Sequence, residues 1–146
     1  IIKFNVEEQV KKFDRRIDKS TLEWWNKQGE EAKKQIVPTD DDVSITELYS
    51  FFILNKRANV KKVYTRGNTF DPIILEHIML QTGKPMPYDW WEVRDTRSTI
   101  EGLSWGSNLS NKFMPPDCES FIHHDPRHDI ALDVMRMQTL VQAINS

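Results

Sequence analysis

The feature that most narrows the fold is a helix bracketed by two strand-like runs. Asp71-Pro72 opens the helical stretch, because proline suits the first helical position, where its missing amide has no partner to lose. Gly83 closes it, as expected of a residue that can take the left-handed cap conformation. Ile73, Ile74, Leu75, Ile78 and Met79 supply the apolar content between them. Val60 to Thr65 before the helix reads as a strand, and so does Trp90-Trp91-Glu92-Val93-Arg94 after it. A third strand-like run, Ile1 to Val6, begins the chain. Strands interleaved with helices predict an α/β architecture, with helices packed on a sheet.

The other segments fit around that frame. Val6, Val10, Phe13 and Ile17 recur at helical spacing and predict a surface helix over 7–17. Ser20-Thr21-Leu22-Glu23 matches a capping box, and a helix through Trp24 and Trp25 follows, interrupted near Gly29. A further turn spans 30–35. Pro38 and Asp40-Asp41-Asp42 punctuate the chain, and Ser44-Ile45-Thr46-Glu47 is a second capping box opening a helix over 45–57. A short helix is expected at 96–103, loop at 104–124 and a last helix at about 126–144. Two or three strands make a thin sheet, because sheets usually hold about 4–6.

Composition removes several classes of protein. The 146 residues carry a formal charge of -2, which excludes holding nucleic acid by bulk positive charge alone. The length suits a single domain over 1–146. Five Trp and seven Phe are unlike a disordered chain. Cys118 has no partner for an internal disulfide, which points to a reducing compartment. No apolar run approaches the roughly 20 residues of a membrane helix, and no signal peptide is visible.

Chemistry concentrates in three clusters. The densest is His123-His124-Asp125-Pro126-Arg127-His128-Asp129-Ile130-Ala131-Leu132-Asp133. Ile130, Val134 and Met137 can face a core while Asp133 stands at the edge of that face. A carboxylate there, with a histidine near it, can ligate a hard cation beside a base. The competing explanation is that acids at a helix start complement its dipole. His124 and His128, four apart, can pair on zinc, but no third ligand is evident. The second cluster runs from Tyr64 to Leu75, where a strand delivers Gly67 and Asn68 and Asp71 opens a helix. Ligands in α/β sheets bind at the carboxyl ends of strands, although an acid at that position is also an ordinary helix-start residue.

The third cluster is Trp90 to Arg97, where Arg94 and Arg97 can meet phosphates and Asp95 can pair with one of them or cap a helix. A solvated charged face explains the same residues. Lys56, Arg57, Lys61, Lys62 and Arg66 form an acid-free basic stretch that can track a phosphate backbone or simply line a surface turn. Of the adjacent Trp24 and Trp25, one is expected to pack inward, leaving the other to cover a loop or stack on a base.

Taken in order, these clusters resemble the DEDDh group of 3′→5′ exonucleases, and most closely the exonuclease A family of T-even-like phages. Gly67-Asn68-Thr69-Phe70-Asp71 resembles the Asn-x-x-Phe-Asp motif, and His128-Asp129-Ile130-Ala131-Leu132-Asp133 the His-x-x-x-x-Asp motif. The Ser20 to Trp25, Pro38 to Ser44 and Trp91 to Arg97 segments resemble that family in the same order. The resemblance implies an RNase H-like fold, a mixed sheet flanked by helices. It implies metal ligation by Asp71 and Asp133, with Mg²⁺ or Mn²⁺ in a two-metal site and His128 as general base. Asn68, Trp24, Arg94 and Arg97 are the implied or candidate contacts to substrate. The substrate would be nucleic acid with a free 3′ end, single-stranded DNA ahead of RNA, met in the host cytoplasm if the chain is phage-encoded. The group's first two acids, Asp-x-Glu on a first strand, have no counterpart upstream of Ser20. The expectation is that an N-terminal segment, or a homo-oligomer partner, completes the site, and that the 146 residues alone are inactive.

Two rival readings stand beside this one. His128-Asp129 is also the doublet of a histidine–aspartate metal phosphohydrolase, an all-helical class that the two strand-like runs oppose. The chain can also be a catalytically incomplete nucleic-acid-binding or scaffold piece of the same fold.

Overall fold

A computed structural model describes residues 2–56, 61–116 and 118–146. The expected first strand survives as one parallel bridge, Phe4 to Val43. Ile1 and Val60, at the starts of two expected strands, and Arg57 of the basic stretch lie outside the described residues.

Helix α1, Val6–Phe13, begins one residue before the expected start because Asn5 caps it, its side chain accepting from the Glu8 amide. It stops at Asp14, in a left-handed conformation, so Ile17 never joins the stripe. Helix α2, Lys19–Asn26, is capped by Asp18 and not by Ser20. The Asp18 carboxylate takes the Thr21 amide at 2.7 Å and the Ser20 hydroxyl as well, which consumes the expected cap residue. Of the two tryptophans of α2, Trp25 is half-buried and Trp24 exposed, so the expected division holds in direction although neither reaches the core. A single turn, α3, covers Glu30–Lys33.

The expected helix 45–57 divides into a 3₁₀ turn, Ile45–Glu47, and α4, Leu48–Asn55. Ser44 caps the turn, but the second partner of the expected capping box is Glu8 of α1. Its carboxylate accepts from the Ile45 amide at 3.1 Å and the Ser44 hydroxyl at 2.9 Å. That tie pins α1 across the chain to the start of α4.

Strand β1, Val63–Thr65, leads into helix α5, Asp71–Thr82, and strand β2, Val93–Asp95, follows. The bracketing holds: Pro72 lies in the first turn and Gly83 takes the left-handed cap. The second strand is shorter than expected. Trp90–Glu92 form a 3₁₀ turn instead, closed by Asp89 and Glu92 in a capping box, and only then does the chain extend. The two strands pair in parallel, making a β–α–β unit whose two-stranded sheet agrees with an α/β architecture.

Two packed regions result. One core gathers Ile45, Leu48, Leu75, Ile78, Met79 and Tyr88, with Val63 and Val93 of the sheet against it. The other is α6, Thr96–Trp105, on α7, Pro126–Asn145, with Ile100, Leu132 and Leu140 buried. Among the described residues no helix is long and apolar enough to cross a membrane.

Candidate active site

β1 and β2 end level with one another, Thr65 opposite Asp95. Their carboxyl ends therefore open on the same side, where parallel α/β units bind ligands. β1 runs into Arg66-Gly67-Asn68, and Gly67 has φ +124, a conformation that favours glycine. β2 runs straight into Asp95, the N-cap of α6. One Asp95 oxygen accepts from the Ser98 amide at 3.1 Å and the other from the Asn68 amide at 3.2 Å. Burial pushes this carboxyl up, but the amides of Ser98, Asn68 and Arg97, with the Arg97 charge, outweigh it and hold it below its ordinary value. Asp95 thus stitches the two strand ends together. The Thr65 hydroxyl and Asn68 Oδ1 lie 2.8 Å apart and hydrogen bond, the hydroxyl donating.

Asp133 reaches the same corner from α7. It is buried, and its Oδ2 accepts from the Thr96 hydroxyl at 2.7 Å. Arg66 Nε is 3.7 Å from that oxygen, and Arg66 Nη1 is 3.7 Å from Asp129 Oδ1. At those separations the arginine supplies charge and not hydrogen bonds, and its buried Nε has no hydrogen-bond partner among the described residues. Thr96 and Asp133 are 37 residues apart in sequence. No local pattern announces their pairing, which is why Thr96 is missing from the sequence candidates. Arg66 belongs to the basic stretch, but nothing in the spacing assigns it to Asp133.

The helix-start explanation of the His/Asp cluster now has an owner. Asp125 caps α7, fully buried, taking the Arg127 amide at 2.9 Å and the guanidinium at 3.0 and 2.6 Å. Hydrogen bonding to Arg127 holds its carboxyl far below the ordinary value, against the opposing push of burial. Asp133, two turns into the helix, is not needed as a cap. His128 accepts the Ile122 amide on Nδ1 at 2.7 Å and stacks on Phe121, centroids 5.2 Å apart. A neutral ring so bonded carries its proton on Nε2. In this arrangement the lone pair a general base would use is occupied by the backbone.

Asp71 stands apart. It is the first residue of α5, exposed, without a hydrogen bond or ion pair from its side chain among the described residues. With Tyr64, Thr65 and Tyr88 it lines a cavity of about 310 Å³. Among the described residues no group of three or more His, Cys, Asp or Glu side chains converges on a common ion position. The carboxylates suit a hard cation by donor type, and they are too few at one point to enclose it.

The remaining candidates divide. Arg94 turns its guanidinium onto the Trp91 and Val93 carbonyls, both at 2.7 Å. Arg97 stays exposed beside Asp95 and Gly67. Trp24 is 43% exposed and meets Trp25 and His124 edge to face, at 5.0 and 4.7 Å. It therefore covers the loop before α7, and His124 holds a left-handed φ of 68° there.

The chain is similar to known exonucleases. Residues 3–141 match the 3′-5′ exoribonuclease Rv2179c-like domain family. The Exodeoxyribonuclease of Enterobacteria phage T4 is 33% identical over 158 residues, an overlap of 94% of this chain and 68% of that protein. No solved structure matches.

Proposed function

The chain belongs to the 3′-5′ exoribonuclease Rv2179c-like domain family, and on that premise we propose that its substrate is single-stranded DNA, degraded from the 3′ end at the corner formed by β1, β2 and α7. Membership makes it a nuclease of the 3′-5′ exonuclease class, related to phage exonuclease A. The observation that carries the siting is the meeting of Arg66, Asn68, Asp95, Thr96 and Asp133 at the carboxyl ends of two parallel strands. The choice of DNA rests on the phage relative's name and the extent of that match, against a family description that names RNA. Paired 3′-labelled DNA and RNA strands of one sequence test it, and faster loss of label from RNA overturns it.

In the proposed reaction a water oxygen bonds to phosphorus, the bond to the leaving oxygen breaks, and the water's proton passes to a base. His128 is that base. Its Nδ1 is held by the Ile122 amide at 2.7 Å, so the role requires the segment around Ile122 to release it when substrate binds. Asp71 and Asp133 would hold Mg²⁺ or Mn²⁺, which when bound lowers the pKa of water and offsets charge on the phosphate. Thr96 orients Asp133 by holding Oδ2. Arg66, between Asp129 and Asp133, supplies the countercharge to both carboxylates. An RNase H-like sheet is the fold this reading proposes, and the β–α–β unit is compatible with it.

Two carboxylates are half of the four the DEDDh group uses. The 146 residues alone are accordingly expected to hydrolyse little or no 3′-labelled DNA with Mn²⁺, until an Asp-x-Glu segment is joined to them. Robust cleavage by the 146-residue chain overturns that requirement. The scaffold alternative is separated by metal: no Mn²⁺ binding even with the acidic segment joined favours it.

A further inference from the structure

Beside the catalytic corner lies a second cavity, of about 520 Å³, within the range of small-ligand sites. Its lining mixes apolar and aromatic side chains, Met86, Tyr88 and Trp90, with the polar Asn68, Glu76 and Asp89. Arg and Lys are absent from that lining among the described residues. A pocket with two carboxylates and no base repels phosphate and favours a flat ligand rich in hydrogen-bond donors. Trp90 is 81% exposed at its rim, held edge to face on Trp91 at 5.5 Å, so its indole is available for stacking. Such exposure of a large aromatic beside a cavity asks for an occupant.

Tyr88 makes the connection to the reaction. It lines this cavity and the Asp71 cavity alike. Burial, followed by the charges of Asp71 and Glu76, pushes its hydroxyl above its ordinary value, so it remains a neutral donor. Asn68 completes the frame: with its Oδ1 engaged by Thr65 and its backbone amide by Asp95, its side-chain Nδ2 makes no hydrogen bond among the described residues. The side chain of Glu76 likewise has no hydrogen bond or ion pair among them.

We propose that this cavity is a nucleobase subsite that takes an unstacked base of the strand being degraded, with Trp90 as the stacking platform and Glu76 as the acceptor that selects amino-bearing bases. The proposal rests on the nuclease reading. Adenine and cytosine carry an amino donor where thymine has the O4 acceptor, and a carboxylate attracts the first two and repels the third. The subsite therefore confers a base preference on an enzyme whose phosphate chemistry is blind to sequence.

The test is metal-free binding, by anisotropy, of short 5′-labelled DNA strands ending at the 3′ side in dA, dC, dT or an abasic unit. Strands ending in dA or dC should bind about tenfold tighter than the abasic strand, the scale of one base–aromatic stack. Trp90→Ala should erase that advantage, Trp90→Phe should retain most of it, and Glu76→Ala should bring dT level with dA and dC. Equal affinity of the wild-type chain for base-bearing and abasic ends overturns the subsite, even if hydrolysis is intact. Conversely, base-dependent binding with no hydrolysis once the acidic segment is joined leaves the subsite standing and overturns the catalytic reading.

Discussion

Asp133 and Asp71 are proposed to serve one reaction, and their surroundings are opposite. Asp133 is 4% exposed, with a hydroxyl on one oxygen and a guanidinium alongside. Asp71 is exposed at the first position of α5, with no side-chain partner among the described residues. A buried carboxylate must be paired or hydrogen-bonded, so Asp133 is built into the packing of α6 on α7. An exposed one at a helix start has no such obligation. The difference teaches that a shared catalytic role need not imply a shared structural one, and stability can separate them.

The largest effect expected is on rate. With the acidic segment joined, Asp133→Asn and Asp71→Asn should each slow hydrolysis on the order of 10³-fold, because each removes a charged ligand worth several kcal/mol in the transition state. Thermal unfolding should then split the pair. Asp133→Ala strands the Thr96 hydroxyl and the Arg66 charge, a loss of about 1–3 kcal/mol. Asp71→Ala loses only a helix-dipole interaction of about 0.3–1 kcal/mol. Equal destabilisation would break the contrast. Thr96→Val sharpens it further: removing the group that orients a ligand should cost about 10–100-fold in activity or metal affinity, less than losing the ligand itself. A wild-type rate in that variant contradicts the orienting role.

Smaller effects concern the start of α7. The Asp125 carboxyl is held low, chiefly by hydrogen bonding to Arg127 and against burial. A depressed native value contributes stability that is present above the ordinary carboxylate range and lost as pH falls toward the native value. Arg127→Gln removes much of that depression, so acid unfolding followed by circular dichroism should move to higher pH. An unmoved midpoint contradicts the assignment. The smallest perturbation is none: nitrogen NMR of the metal-free chain should find neutral His128 protonated on Nε2, as its bond to Ile122 requires. A proton on Nδ1 would mean the ring is already free to act as base.

Legibility follows range. Asp71-Pro72 and Gly83 mark α5 because cap chemistry is written within a few residues, and the observed helix ends where they say. The two strands that bracket it are legible as positions but not as lengths, since the Asp89–Glu92 capping box takes Trp90 and Trp91 out of β2. Ser20 fails as a cap because Asp18, two residues earlier, is the stronger acceptor there. The site divides in the same way. Asn68, Asp71, His128 and Asp133 lie in short motifs, and the resemblance of those motifs to the DEDDh group is what singles them out. Thr96 and Arg66 contribute through contacts across 37 and 67 residues, which no period or motif encodes.

The central claim is that Asp71 and Asp133, held so differently, act as one unit. Single-turnover hydrolysis of 3′-labelled single-stranded DNA with Mn²⁺, for wild type, Asp71→Asn, Asp133→Asn and the double variant with the acidic segment joined, tests it most directly. Groups that act together are strongly non-additive, so the double variant should be about as slow as the slower single one. Losses that multiply would mean that the two carboxylates work independently, and would contradict the account.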